Sequence, residues 1–243
     1  MAVKGSSTAA RVLVVFEAVA ANQPIGVAAL ARMLDIDKSA VQRALVTLSE
    51  QGWIQAREDQ LTQWETSPRI LNIAHSSRAK SELRHTIQQV LERLAAQTGE
   101  TAIFNEPAGR HLVVSQVAES DQPLRMAPRI GAVIPARYSA TGRVLLPFLS
   151  RERQTELLGA PPDTAFLELL EECRARGYAA SSEVNAPSTT IAAPVFEVDG
   201  RPIGAVAISG PAERMPPADH PRQAELVCKA AKLLSRNTPG STR

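Results

Sequence analysis

Residues 27–53 read VAALARMLDIDKSAVQRALVTLSEQGW. Val27, Leu30, Ala31 and Leu34 recur at i, i+3, i+4 and i+7, the spacing of one helical face. After a break at Asp35-Ile36-Asp37 the spacing restarts with Val41, Ala44, Leu45 and Leu48, and Gly52 stops it. Two apolar stripes joined by so short a turn must fold against each other. The second helix then keeps Lys38, Ser39, Gln42, Arg43, Val46 and Thr47 on its other face, where cations and amides suit phosphates and base edges. This pattern predicts a helix-turn-helix with the second helix as reader.

Upstream, Val12, Val15, Phe16 and Val19 lie on one face of a helix that Ser7 or Thr8 can cap, which supplies the third side of a small core. Downstream, WIQAREDQLTQWETS holds two strand-like pieces around Glu58-Asp59-Gln60, a two-stranded wing. Residues 68–80 form a basic bridge, and a long helix from about Ser81 to Thr98 opens a second domain. Strands are then expected at TAIFNE, HLVVSQV and PLRM, with a turn at Pro107-Ala108-Gly109. Helices follow at about Ser139–Leu149, in the polar stretch before Pro161-Pro162, and at Thr164–Arg176. Ser181–Thr190 reads as a loop, IAAPVFEV and PIGAVAISG as a hairpin, and Pro221–Leu234 as a last helix.

The expected class is α+β. It comprises a winged helix-turn-helix at residues 1–67, a linker at 68–80, and an effector-binding and oligomerisation domain at 81–236, with a flexible tail at 237–243. The second domain is expected to be a mixed or antiparallel sheet with helices packed on one side, like GAF or PAS sensing modules. A doubly wound dinucleotide fold is excluded because no G-x-G-x-x-G follows a strand.

With 243 residues, 44% hydrophobic and 21% charged, the chain can bury a proper core. No apolar run reaches the roughly 18 residues of a membrane span, and residues 1–11 lack a secretory pattern, so a cytoplasmic protein with no membrane partner is expected. The net charge of +2 is unevenly placed. Residues 1–60 carry six basic and six acidic side chains, residues 61–80 three and one, and the remainder eighteen of each. The excess therefore lies in the connector, and nucleic-acid binding must rest on a local basic face. Cys173 and Cys228 read as buried thiols. The four histidines, His75, His85, His111 and His220, are dispersed, so no metal is expected. With neither a G-x-S-x-G elbow nor a Walker loop, no enzyme activity and no cofactor are expected.

Across nearly its whole length the chain resembles IclR-type bacterial transcriptional regulators. The resemblance rests on SSTAARVLVVFEAVA, ALARMLDIDKSAVQRALVTLSEQGWI, TGETA, GAVIPARYSATGRVLLPFL, RARGYA and IAAPVFEVDGRPIGAVAISGPAERM in that order. It implies homodimers or tetramers that bind double-stranded operator DNA through the head and a small organic effector, such as a carboxylate or an aromatic compound, through the second domain. Both repressors and activators occur in the family; repression is the expected sign here. Asp35 stands where the family often has glycine, Asp37 where it usually has proline, and Ala40 where it has threonine. Ser139 replaces a threonine and Arg143 a lysine. In SSEVNAPSTTIAAPV, Ser182, Ser188 and Ile191 replace the family's usual residues.

The expected DNA-contacting residues are Lys38, Ser39, Gln42 and Arg43, with Arg57 in the wing and Arg11 as phosphate contacts. Gln42 suits adenine and Arg43 suits guanine or phosphate. The effector is expected at the start of a helix, at Ser139, Ala140, Thr141 and Gly142, where amides face an anion and small residues allow close approach. Met126, Gly131, Glu183, Ser188, Thr189 and Ile191 are secondary candidates. The alternative is a winged-helix protein-interaction module in which Asp35 and Asp37 reject DNA.

Overall fold

The computed structural model describes residues 6–57, 62–74, 78–184 and 186–237. The chain divides into two compact units, Met1–Arg78 and Ala79–Arg243.

In the first unit, α1 (Ser7–Asn22) is capped by Ser6, whose hydroxyl accepts from the Ala9 amide, one residue before the expected cap. A two-residue strand β1 (Ile25–Gly26) precedes α2 (Val27–Leu34) and α3 (Lys38–Glu50). Both apolar stripes point inward. Val15, Val19, Leu30, Val41, Leu45 and Ile54 are almost fully buried in one cluster, each large aliphatic contributing about 1.5–3 kcal/mol. Asp35 ends α2 in the left-handed conformation at φ 51°, its amide bonding to the Ala31 carbonyl. After α3 the chain turns at Gly52, φ 71°, and the Trp53 amide bonds back to Leu48 at 2.8 Å. Trp53 meets Phe16 edge to face at 5.7 Å. The wing strands β2 (Ile54–Arg57) and β3 (Gln63–Thr66) pair antiparallel, and β1 joins β3 to make a three-stranded sheet. That third strand has no periodicity to betray it, since it is two residues long. The expected turn at Glu58-Asp59-Gln60 lies outside the described residues. A short α4 (Arg69–Ala74) follows, with the Arg69 guanidinium over Trp53 at 5.4 Å.

In the second unit, α5 (Arg78–Thr98) begins three residues before the expected start. An antiparallel six-stranded sheet follows, ordered β6-β5-β4-β9-β8-β7. Its members in chain order are β4 (Thr101–Ala108), β5 (His111–Ala118), β6 (Val133–Ile134), β7 (Ala179–Ser181), β8 (Ser188–Phe196) and β9 (Pro202–Pro211). Between β6 and β7 lie α6 (Ala140–Leu145), a 3-10 turn at Leu146–Phe148, α7 (Arg151–Leu158) and α8 (Thr164–Arg176); α9 (His220–Asn237) closes the chain. The expected helix layer on one side is α5 with α9, packed on Phe104, Ile191, Val206 and Ile208. A second layer, α6 with α8, covers the other face at Leu112, Ala192, Ala205 and Ala207. Cys173 is a buried free thiol, and Cys228 is half-buried.

Two expectations fail locally. PLRM is not a strand. Its backbone is instead tied down from outside: Arg214 holds Glu100 with two bonds of 2.6 and 2.7 Å and donates to the Leu124 carbonyl at 3.0 Å. Thr101 Oγ1 donates to the Met126 carbonyl at 2.5 Å. Ser188, Thr189 and Thr190 are not loop residues but the first part of β8, paired to β9. The Thr189 hydroxyl bonds with that of Ser182 and the Thr190 hydroxyl with that of Ser209 on β9, each at 2.9 Å, so a polar stretch is accommodated in buried strand.

A non-glycine residue at positive φ carries a backbone cost, although aspartate tolerates it better than most. Asp35→Gly is expected to stabilise the first unit by about 0.5–1 kcal/mol. Both tryptophans, Trp53 and Trp64, lie in that unit, so a urea titration read by tryptophan fluorescence isolates the effect. An unchanged or lower midpoint contradicts it.

Candidate functional site

The exposed face of α3 is organised from its first residue. Asp37 Oδ1 accepts from the Ser39 and Ala40 amides at 2.9 and 3.2 Å and from the Ser39 hydroxyl at 2.5 Å. The carboxylate therefore points into its own helix terminus. The Ser39 hydroxyl holds the Asp37 carboxyl below the usual carboxylate range, with the Ala40 and Ser39 amides and the Arg43 charge adding to the effect. Arg43 in turn donates to Ser39 Oγ at 3.1 Å, so Asp37, Ser39 and Arg43 form one chain along the helix surface. Lys38, Ser39, Gln42 and Arg43 are all exposed on this face, together with Val46 and Thr47. Arg57 ends β2, and Arg11 is exposed on α1. The four α3 side chains share one face of one helix; the two outlying arginines sit on other elements of the same unit.

A second site lies in the C-terminal unit. A cleft of about 370 Å³ opens between α6, the sheet and the segment before β6. Ser139, Ala140 and Thr141 line it, as do Met126 and Ser188. Gly142 does not. A Cβ there would sit 1.8 Å from the Ala136 carbonyl oxygen, so the glycine serves the packing of α6 against the preceding turn. Its amide is taken by the Ser139 hydroxyl at 3.0 Å, and one expected anion donor is thereby spent on capping. Gly131 is an exposed turn residue at φ 87° whose amide bonds to the Val114 carbonyl. Glu183 pairs with Arg143 outside the cleft lining. Thr189 and Ile191 are placed on the wrong face by strand alternation: Ser188 and Thr190 face the cleft, whereas Ile191 is fully buried against α5 and α9.

Sequence reasoning missed Ile103 and Asn105 on β4, Val114 on β5, Ser181 on β7, Thr190 on β8 and Ser209 on β9. The available signal was a polar residue in an apolar strand: asparagine in TAIFNE and serine in AVAIS. Asn105 is 2% exposed and donates from Nδ2 to Thr141 Oγ1 at 2.8 Å. Ser181 donates to the Tyr138 carbonyl at 2.6 Å, and Thr190 and Ser209 share a bond of 2.9 Å. The rest of the lining mixes these hydroxyls with aliphatic side chains such as Ile103, Val114 and Ile134. Among the described residues no helix is long and apolar enough to cross a membrane.

Residues 8–58 match the family model described as the IclR helix-turn-helix domain, and residues 75–236 match bacterial transcriptional regulator IclR C-terminal. The chain is 29% identical to the HTH-type transcriptional regulator BhcR of Paracoccus denitrificans, over 93% of this chain and 85% of that protein. It is 26% identical to the transcriptional repressor IclR of Escherichia coli, over 88% and 83%. Among solved structures, a putative IclR transcriptional regulator from Silicibacter sp. TM1040 superposes with a TM-score of 0.81 at 22% identity, covering 98% of each chain. An IclR homolog from Microbacterium hydrocarbonoxydans, complexed with 4-hydroxybenzoate, gives 0.78 at 20% identity over 96% and 99%.

Because the folded state depresses the Asp37 carboxyl, its contribution is complete above the unfolded value of about 3.9 and is lost as pH falls through the lower folded value. Asp37→Asn, which keeps an acceptor but does not titrate, is expected to flatten the pH dependence of first-unit stability below about pH 4; identical acid-unfolding profiles by tryptophan fluorescence contradict this. Gly142→Ala is expected to destabilise the second unit by about 2–3 kcal/mol through overpacking against Ala136. Thermal unfolding followed by circular dichroism checks it, and an unshifted transition rules it out.

Proposed function

Since the chain belongs to the IclR family of bacterial transcriptional regulators, we propose that it binds operator DNA through α3 and is controlled by a small organic molecule held in the cleft of its second unit. The observation that carries this reading is the exposed face of α3. It presents Lys38, Ser39, Gln42 and Arg43 in a winged helix-turn-helix, with Asp37, the acid at the head of the helix, turned into the helix's own amides. Lys38 and Ser39 serve the phosphate backbone. Gln42 and Arg43 serve base edges, Gln42 pairing with adenine and Arg43 with guanine or a phosphate. Arg57 and Arg11 add phosphate contacts. The protein-interaction alternative rests on Asp35 and Asp37 both facing outward; Asp35 is exposed, but Asp37 is satisfied by Ser39 and Ala40, which supports DNA binding.

The regulator works as a symmetric dimer, or a tetramer built from dimers, in the cytoplasm. Two heads read a pseudo-palindrome, and occupancy of the cleft shifts the population between head spacings that fit and miss the half-sites. Repression is the sign the relatives support, since the Escherichia coli protein is a repressor. The 4-hydroxybenzoate bound to the Microbacterium hydrocarbonoxydans protein supports a cleft ligand of similar size.

Affinity for an operator fragment is expected to fall steeply with salt, with a log–log slope of about −0.9 for each phosphate neutralised. Arg43→Ala is expected to weaken operator binding by about tenfold or more and relax base preference. Fluorescence anisotropy across a salt series measures both. A flat salt response with no loss in the variant establishes the interaction module instead.

A further inference from the structure

The cleft contains one unmet polar group. Of the buried side-chain atoms that lack a hydrogen-bond partner among the described residues, Asn105 Oδ1 is the one that belongs to the cleft lining. Its amide nitrogen is engaged by Thr141, and its position is set by a bulge. Phe104 pairs with Gln116 but Asn105 with Val114, which leaves Ser115 as the extra residue of β5. Bulges of this kind re-aim side chains beside functional sites. A buried carbonyl oxygen without a partner is costly and is a point where a ligand gains affinity.

We propose that Asn105 is the specificity-determining residue of the cleft and selects an uncharged ligand, with an aliphatic or aromatic body and a hydroxyl or carboxamide at its inner end. This rests on reading the cleft as the effector site and deepens it. The ligand's O–H or N–H donates to Asn105 Oδ1. Because the Thr141 hydroxyl donates as readily as it accepts, a half-turn of the Asn105 amide offers Nδ2 to the ligand instead. A hydroxyl or carboxamide, being both donor and acceptor, satisfies either arrangement. A carboxylate only accepts, and it brings a full charge into a lining whose described residues include no arginine, lysine or histidine. Arg143 pairs through Nη2 with Glu183 and keeps a buried Nε without a partner, but it lies outside the lining; Arg137 pairs with Asp163, which also caps α8. Ile103, Val114, Met126 and Ile134 supply the apolar wall for the ligand body.

The test compares charged and neutral twins of one shape on the full chain by isothermal titration calorimetry at neutral pH: benzamide against benzoate, and isobutyramide against isobutyrate. The amide of each pair is expected to bind about tenfold or more tightly than its carboxylate. Asn105→Leu is expected to remove that preference by weakening the amide alone. The comparison on the unsubstituted protein decides the matter even where the variant does not fold. Carboxylates that bind as tightly as their amides, or an amide affinity untouched by Asn105→Leu, overturn the role of Asn105 while leaving the cleft as an effector site. The absence of saturable heat from every probe at millimolar concentration overturns the effector reading itself, and this inference with it.

Discussion

Strands buried on both faces have no solvent side, so each residue's role follows from whether its position is odd or even. In β4, Ala102 and Phe104 face α5 and α9, whereas Ile103 and Asn105 face the cleft. In β9, Val206 and Ile208 take the first direction, and Ala205, Ala207 and Ser209 take the second. The sheet thereby separates a dry aliphatic core from a layer that can hold polar side chains. Moving any of these strands by one residue would place Asn105, Thr190 and Ser209 among leucines. Holding that register keeps the core stable and the cleft polar. The Glu100–Arg214 pair and Thr101 extend this order to the segment carrying Met126, fixing the cleft wall by backbone bonds instead of by secondary structure.

The first unit solves a different problem, that of exposing Lys38 and Arg43 on one helix face in a sequence whose charges balance. Six basic and six acidic residues in positions 1–60 give no net attraction for a polyanion. Position resolves the balance. Asp37 is consumed by the amides of its own helix, and Ser39 links it to Arg43, so the negative charge is drawn to the helix end while Arg43 extends over the exposed face. Asp35, in the left-handed conformation, takes over the conformational role that glycine commonly fills at a tight turn.

Much of this was legible in the sequence because long periodic elements declare themselves. The stripes at Val27–Leu34 and Val41–Leu48, the helix ending at Gly99, and the hairpin turning at Asp199-Gly200 all fold as their spacing requires. The exposed face of α3 follows directly from its buried face. Elements whose conformation is set by distant partners were not legible. The strands β1 and β6 are each two residues long and exist through pairing with β3 and β5. PLRM alternates like a strand but is claimed by Arg214 and Thr101. In the cleft, Ser139–Thr141 could be placed from the start of a helix, whereas Gly142, Ile191 and Asn105 could be assigned only once close approach, strand parity and a bulge were known.

The proposed function makes sequence-specific DNA reading by α3 the output of the first unit. Selection of bound fragments from a random DNA pool by the full chain tests that claim most directly. Enrichment of a pseudo-palindrome, with half-site centres separated by whole helical turns of about 34 Å, is the predicted result. Recovery of fragments with no shared sequence, at the level set by charge alone, would contradict it.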